Sequence, residues 1–270
     1  NYEPNRCPVP GRLYIGEPLS VTNNMNMDLT RNDNSNLLML GNDTEKARSM
    51  FAFAILSLCI NYKIKHGKAP DQPFIYLLNC KPLDDSYFKD TPQIIASELL
   101  PEYIRYIHCG DENATQDVLS ELLDNLKCTT PIGDTDKYFF VFGYQRAEEL
   151  KSETKLSQGD DIDSLFNLMP SSSNKPQLSP KEIFHLIVKD GAKRGVHAIL
   201  WQDSYSALEQ DDNNIMSYFN LKVAFDMSPE EFSRSVGAND ISLMSENNAI
   251  YYNKARDNQK FRPYQAPDED

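Results

Sequence analysis

The chain has 270 residues, 40% of them hydrophobic, and a formal charge of -13 with a sequence pI near 4.8. That length accommodates one large core, or a core with a small appendage. The acidic average surface repels phosphate backbones, so this domain alone is not expected to bind DNA directly.

Five cysteines (Cys7, Cys59, Cys80, Cys109 and Cys128) are odd in number, lie far apart and form no C-x-x-C pair. This argues against a disulfide framework and against a zinc site, and for reduced thiols in a cytoplasmic protein. The longest apolar run, around Met50 to Ile60, is interrupted by Ser57 and Cys59, and it falls short of the roughly 20 residues a membrane span needs. No membrane segment is expected here, which leaves room for a membrane-associated full-length protein. Asn1 to Pro10 lacks the charged start and apolar stretch of a signal peptide. The missing initiator Met gives the expectation of a fragment cut from a longer polypeptide.

From residue 36 onward, apolar runs alternate with amphipathic stretches, the pattern of a mostly parallel sheet with helices on both faces. Asn36–Leu40 reads as a buried strand. Thr44 to about Ile64 reads as a long helix, with Ala47, Met50, Phe51, Ala54, Ile55 and Leu58 at helical spacing. Phe74–Leu78 is a second strand, Pro92–Tyr103 a helix, Ile104–Ile107 a short strand and Thr115–Leu126 an amphipathic helix. Tyr138–Phe142 is a further strand.

The stretch from Lys151 to Ser179 has few large apolar residues and is expected to be a long surface excursion. A helix then starts at Pro180, with Ser179 as its cap, and runs to about Lys193. Val196–Trp201, Leu221–Phe225 and Ala249–Tyr252 follow as strands, the last taken as the final one.

A strand ending in Gly41 and followed at once by a long helix is where a phosphate loop would sit. The pattern G-x-x-x-x-G-K-[ST] uses glycines to wrap backbone N–H groups around a phosphate, a Lys to neutralise it and a hydroxyl to hold Mg²⁺. Here the loop reads Gly41, Asn42, Asp43, Thr44, Glu45, Lys46, Ala47, Arg48. Aligned on Gly41, three of the four fixed positions fail. Lys46 replaces the second glycine, Ala47 the lysine and Arg48 the hydroxyl. An acidic side chain roughly 6 Å from a triphosphate would repel it by about 3 kcal/mol at an effective dielectric near 20. Asp43 and Glu45 are so placed, with Lys46 and Arg48 offsetting part of the repulsion.

The surrounding chain resembles the FtsK/SpoIIIE family of hexameric translocases from about Gly11 to the end. The resemblance rests on several segments in order. Arg12–Leu19 looks like the lead-in to the phosphate loop, and Asn79-Cys80-Lys81 falls where the family has Asp-Pro-Lys. Gly195–Trp201 is similar to its Gly-Ile-His strand. Ser228–Arg234 matches its Ser-x-x-x-x-Ser-Arg segment, and Phe261–Tyr264 is similar to a degenerate subgroup.

The resemblance implies an α/β RecA-like P-loop NTPase fold. It also implies a lead-in strand and turn over 1–35 and an ATPase-like domain over 36–267, with an insertion at about 151–179 and a tail at 268–270. The family ends its third strand in Asp-Glu for Mg²⁺ and the attacking water, whereas this chain has Gly143 and Tyr144 at that position. Gln202 stands in the sensor segment, and Arg234 is a candidate arginine offered to a neighbouring subunit.

No catalytic residue, no metal site and no cofactor are therefore expected, and ATP with Mg²⁺ enters only if the atypical loop still binds nucleotide. The implied partners are other motor domains of the same polypeptide or ring, or a protein substrate or adaptor. Three readings stay open: a degenerate structural or regulatory module, an active motor with an unusual site, and a module that recognises a secretion signal or adaptor.

Several other residues invite a role. Glu148 and Glu149 read as a solvated helix face, Asp84 and Asp85 as turn residues, and His197 as a core histidine. His108, Cys109 and Asp111 read as a loop cluster with no second ligand pair.

Overall fold

The computed structural model describes residues 9–20, 25, 27–80, 91–127, 135–153, 178–212, 214–236, 247–254 and 256–265. Lys81, Asp84, Asp85, Cys7, Cys128, nearly all of the expected surface excursion and the tail at 268–270 lie outside these residues.

In chain order the elements are β1 (Arg12–Leu13), β2 (Gly16–Pro18), β3 (Met27–Asp28), β4 (Leu37–Leu40), α1 (Thr44–His66), β5 (Ile75–Asn79) and α2 (Thr91–Ile94). A π-helical turn, Ile95–Leu99, continues α2. Then come β6 (Ile104–His108), α3 (Glu112–Lys127), β7 (Lys137–Phe142), α4 (Glu148–Lys151), α5 (Pro180–Asp190) and β8 (Val196–Gln202). The chain closes with α6 (Tyr205–Asp212), β9 (Leu221–Ala224), α7 (Pro229–Val236), β10 (Ala249–Asn253) and β11 (Arg256–Pro263).

Nine strands form one sheet in the order β2-β11-β10-β9-β4-β8-β7-β5-β6. The pairings from β9 across to β6 are parallel, whereas β10, β11 and β2 add an antiparallel edge. Side chains alternate across a strand, so the central strands fill two cores. Met39, Leu77, Phe140, Ile199 and Val223 face α1, whereas Leu40, Leu78, Phe139, Val141 and Leu200 face the layer of α3, α5 and α6. Both faces of the parallel region are thus covered, which is why its strands read as continuous apolar runs.

By length and composition α1 could cross a membrane, but 67% of its apolar window is buried inside the fold. It is the central helix of one face. Phe51 meets Phe140 and Phe142 edge-on at 5.5 and 5.3 Å.

The start of α5 is as expected. Ser179 Oγ accepts from Glu182 N, Glu182 returns a bond to Ser179 N, and Pro180 follows the cap.

One expectation needs correction. Ala249–Asn253 is not the final strand, because β11 pairs with it and with β2. The lead-in is divided between two sheets, with β1 pairing β3 on one side and β2 joining the edge of the large sheet. Its backbone is tied to α1 through Asn61 Nδ2 to Arg12 O (2.9 Å) and Tyr14 N to Ser57 Oγ (2.9 Å).

His197 is a core histidine. It is fully buried, stacks on Tyr138 at 5.5 Å and places Nδ1 2.8 Å from Ser35 O. Beside it, burial works to raise the Asp136 carboxyl. His197, 3.7 Å away, and Arg31, at 2.7 Å, outweigh burial and hold it below its ordinary value of 3.8. A carboxylate depressed in the folded state contributes stability above its unfolded value, and this is lost as pH falls through the folded one. Below about pH 4 the urea midpoint of the wild type should therefore fall more steeply than that of Asp136→Asn. Parallel acid limbs in the two proteins would refute this.

Candidate functional site

The C-terminal ends of the parallel strands converge where a ligand sits in open α/β sheets. β4 delivers Gly41 there. A Cβ on Gly41 would lie 2.0 Å from Phe225 O, so the close approach of the chain after β9 requires glycine. Three contacts fix the loop: Gly41 N to Gln202 O (3.2 Å), Trp201 Nε1 to Gly41 O (3.0 Å) and Asn42 N to Asp226 O (3.2 Å).

A helix N-terminus with open N–H groups is a ready anion site. At α1 the chain supplies its own anion. Asp43 is the N-cap and its Oδ1 accepts from Lys46 N at 2.9 Å. Lys46 in turn pairs with Asp226, which arrives from the far end of the sequence, and with Asp43 Oδ2 at 3.4 Å. Glu45 is exposed on the first turn, whereas Ala47 and Arg48 are buried. A phosphate approaching this helix would meet a carboxylate where the N–H groups should be. The cation best placed to receive it already bridges two acids.

β8 separates β4 from β7, at whose end Gly143 has φ 81°. A Cβ there would lie 2.5 Å from Cys80 O. Glycine at this point is a demand of the backbone, and no carboxylate can occupy it without a shift. Tyr144 turns into the core and stacks on Phe184 at 5.5 Å. Around Gly41–Arg48 the charged side chains of Asp43 and Lys46 are thus engaged within the chain, and around Gly143–Tyr144 the aromatic ring is turned inward.

Gln202 is fully buried. Its Nε2 reaches the Asp203 side chain at 3.4 Å, and its Oε1 has no protein partner among the described residues. Arg234 is exposed, pairs with Glu209 and lies 5.2 Å over the Tyr205 ring.

Beside the loop lies a cleft of about 840 Å³, lined by Asn42, Gln145, Asp203, Phe225, Asp226, Met227, Glu231 and Ile250 among others. None of its described lining residues is Lys or Arg. Glu231 is held by Ser204 Oγ and Ser206 Oγ, at 3.2 and 2.9 Å. This cleft was not visible in the sequence, because α6, α7 and the turn after β9 build its wall.

The expected loop cluster divides. His108 and Asp111 are exposed, whereas Cys109 approaches Cys80 and Glu149. Glu149 is 8% exposed and accepts from Gly110 N at 3.0 Å, so it does not belong to a solvated face.

The sequence matches no protein-family model and no curated protein. Solved structures resemble the fold. EssC (ATPases 2 and 3) from Geobacillus thermodenitrificans gives a TM-score of 0.64 at 12% identity, over 97% of this chain and 46% of that one. Thermomonospora curvata EccC (ATPases 2 and 3), in complex with a signal sequence peptide, gives 0.58 at 9% identity, over 96% and 41%. The pCW3 conjugation coupling protein TcpA, a monomer form with ATPgS, gives 0.56 at 10% identity, over 94% and 66%. At these identities the likeness is one of fold, and the fold is that of P-loop NTPases. The chain spans less than half the length of the EssC and EccC chains it matches.

Proposed function

We propose that this chain is a catalytically degenerate ATPase-like domain of an FtsK/SpoIIIE-type translocase. In this reading it serves as a structural or regulatory module beside motor domains on the cytoplasmic side. The observation that carries the reading is the filled phosphate position: Asp43 caps α1, and Lys46 is held between Asp43 and Asp226. The absence of carboxylates at Gly143 and Tyr144 supports it, because the Mg²⁺ shell and the attacking water then lack their usual partners.

The test is phosphate release from ATP with Mg²⁺. The chain should produce no more phosphate than buffer, and Lys46→Ala should change nothing. Turnover of about 1–100 s⁻¹, as phosphoryl-transfer enzymes show, and its loss in Lys46→Ala would support the active-motor reading instead.

A second reading is favoured by the cleft, whose walls combine Asp203, Asp226 and Glu231 with Phe225, Met227 and Ile250. That chemistry suits a basic and apolar polypeptide segment of a substrate or adaptor better than a nucleotide. The direct comparison is binding of a Lys/Leu-containing peptide and an Asp/Leu-containing peptide to the same protein. Preference for the basic peptide that disappears in Asp203→Asn supports the reading, and equal binding of the two rejects it.

A further inference from the structure

At the ends of β5 and β6 and in α4, three side chains from distant parts of the sequence converge. The ligand atoms of Cys80, Cys109 and Glu149 all lie within 4.8 Å of one another. They lie on the β5–β7 side of the sheet, and none of them lines the acidic cleft.

Their surroundings are organised. Gly110 N donates to Glu149 Oε1 at 3.0 Å, which orients the carboxylate and leaves its second oxygen for another partner. Arg146 Nη1 donates to Cys80 O at 3.4 Å, and the Cys109 thiol donates weakly to Arg146 O at 3.6 Å. A guanidinium thus stands beside the cluster. Cys80 and Glu149 are buried, whereas Cys109 is exposed and opens the cluster to solvent.

A buried carboxylate facing two thiols is poorly matched, because a carboxylate is better served by strong donors or a cation and a thiol is a weak donor. We propose that Cys80, Cys109 and Glu149 form a binding site for a thiophilic divalent ion, with Zn²⁺ the best fit.

Two thiolates, a carboxylate and a water on the Cys109 side complete a tetrahedral set. Zn–S bonds of about 2.3 Å and Zn–O bonds of about 2.0–2.2 Å are within reach of three ligand atoms that all lie within 4.8 Å of one another. Mg²⁺ and Ca²⁺ are disfavoured because they take oxygen ligands. Binding releases one proton from each thiol to solvent. Two thiolates and a carboxylate around a dication leave one negative charge, which the Arg146 guanidinium offsets. Without an ion, burial pushes both thiols above their ordinary value. The ion would fasten the turn after β6 and α4 to the end of β5.

The test uses the full chain with Cys7→Ser and Cys128→Ser, kept reduced and titrated with Co²⁺ and then Zn²⁺. One equivalent of Co²⁺ should produce sulfur-to-metal charge-transfer absorption and tetrahedral visible bands, both displaced by Zn²⁺. Cys109→Ser, at an exposed position, should weaken the bands and lower affinity at least tenfold. Glu149→Gln, which removes a direct ligand, should lower affinity by at least the roughly 10- to 100-fold seen when outer-shell groups are altered, and Cys59→Ala should change neither. Absent charge-transfer bands in the parent, or bands indifferent to Cys109→Ser and Glu149→Gln, would overturn the proposal. Circular dichroism of each variant separates loss of binding from loss of fold.

Discussion

Replacing Asn36 with alanine should lower stability by about 3–5 kcal/mol, because it strands several buried polar groups at once. Asn36 is fully buried at the entrance to β4. Its Nδ2 donates to Val188 O at 2.7 Å and to Tyr218 O at 2.9 Å, and its Oδ1 accepts from Ala198 N at 2.9 Å. One side chain therefore joins the end of α5, the turn before β9 and β8 to the strand that carries Gly41. The alanine variant leaves two carbonyls and an N–H without partners, each costing about 1–3 kcal/mol. Urea unfolding followed by circular dichroism checks this, and a midpoint shift worth less than about 1 kcal/mol would show that water reaches these groups.

The second large effect is expected at Trp201, the single tryptophan of the chain. It is 1% exposed, packs on Phe142 at 4.5 Å and donates from Nε1 to Gly41 O. Trp201→Ala should cost about 3–5 kcal/mol, the usual range for emptying a large aromatic site. Trp201→Phe keeps most of the packing but loses the hydrogen bond, and should cost about 1–2 kcal/mol, mostly from leaving the Gly41 carbonyl unpaired. If the two variants are equally unstable, the bond to Gly41 matters more than the packed ring. If Trp201→Phe is neutral, Gly41 does not depend on it.

The parallel strands were legible because burial on both faces leaves no alternation to misread. Tyr138–Phe142 and Val196–Trp201 are continuous apolar runs, interrupted only where His197 finds Ser35 and Tyr138 as partners. The capped start of α5 was legible for a local reason, since a capping box involves residues three apart.

β11 was not legible. Its sequence, Arg-Asp-Asn-Gln-Lys-Phe-Arg-Pro, is polar, and its pairing with β10 and β2 comes from the sheet edge, not from its own propensity. The candidate site was hidden for the same non-local reason. Lys46 and Asp226 are 180 positions apart, so the loop pattern showed a missing motif without showing what had replaced it. Glu149 follows Glu148 and reads as part of a solvated pair. Only the packing of α4 directs one of them inward, towards Gly110 and the two cysteines.

The filled phosphate position is tested most directly by calorimetric titration of ATP with Mg²⁺ into the wild-type chain. Binding requires only the local loop, whereas hydrolysis in a ring also requires neighbours. The arrangement of Asp43, Lys46 and Asp226 predicts no saturable heat up to about 1 mM nucleotide, less than about 4 kcal/mol of binding free energy. A saturating isotherm with a micromolar Kd would contradict it and make this loop a working nucleotide site.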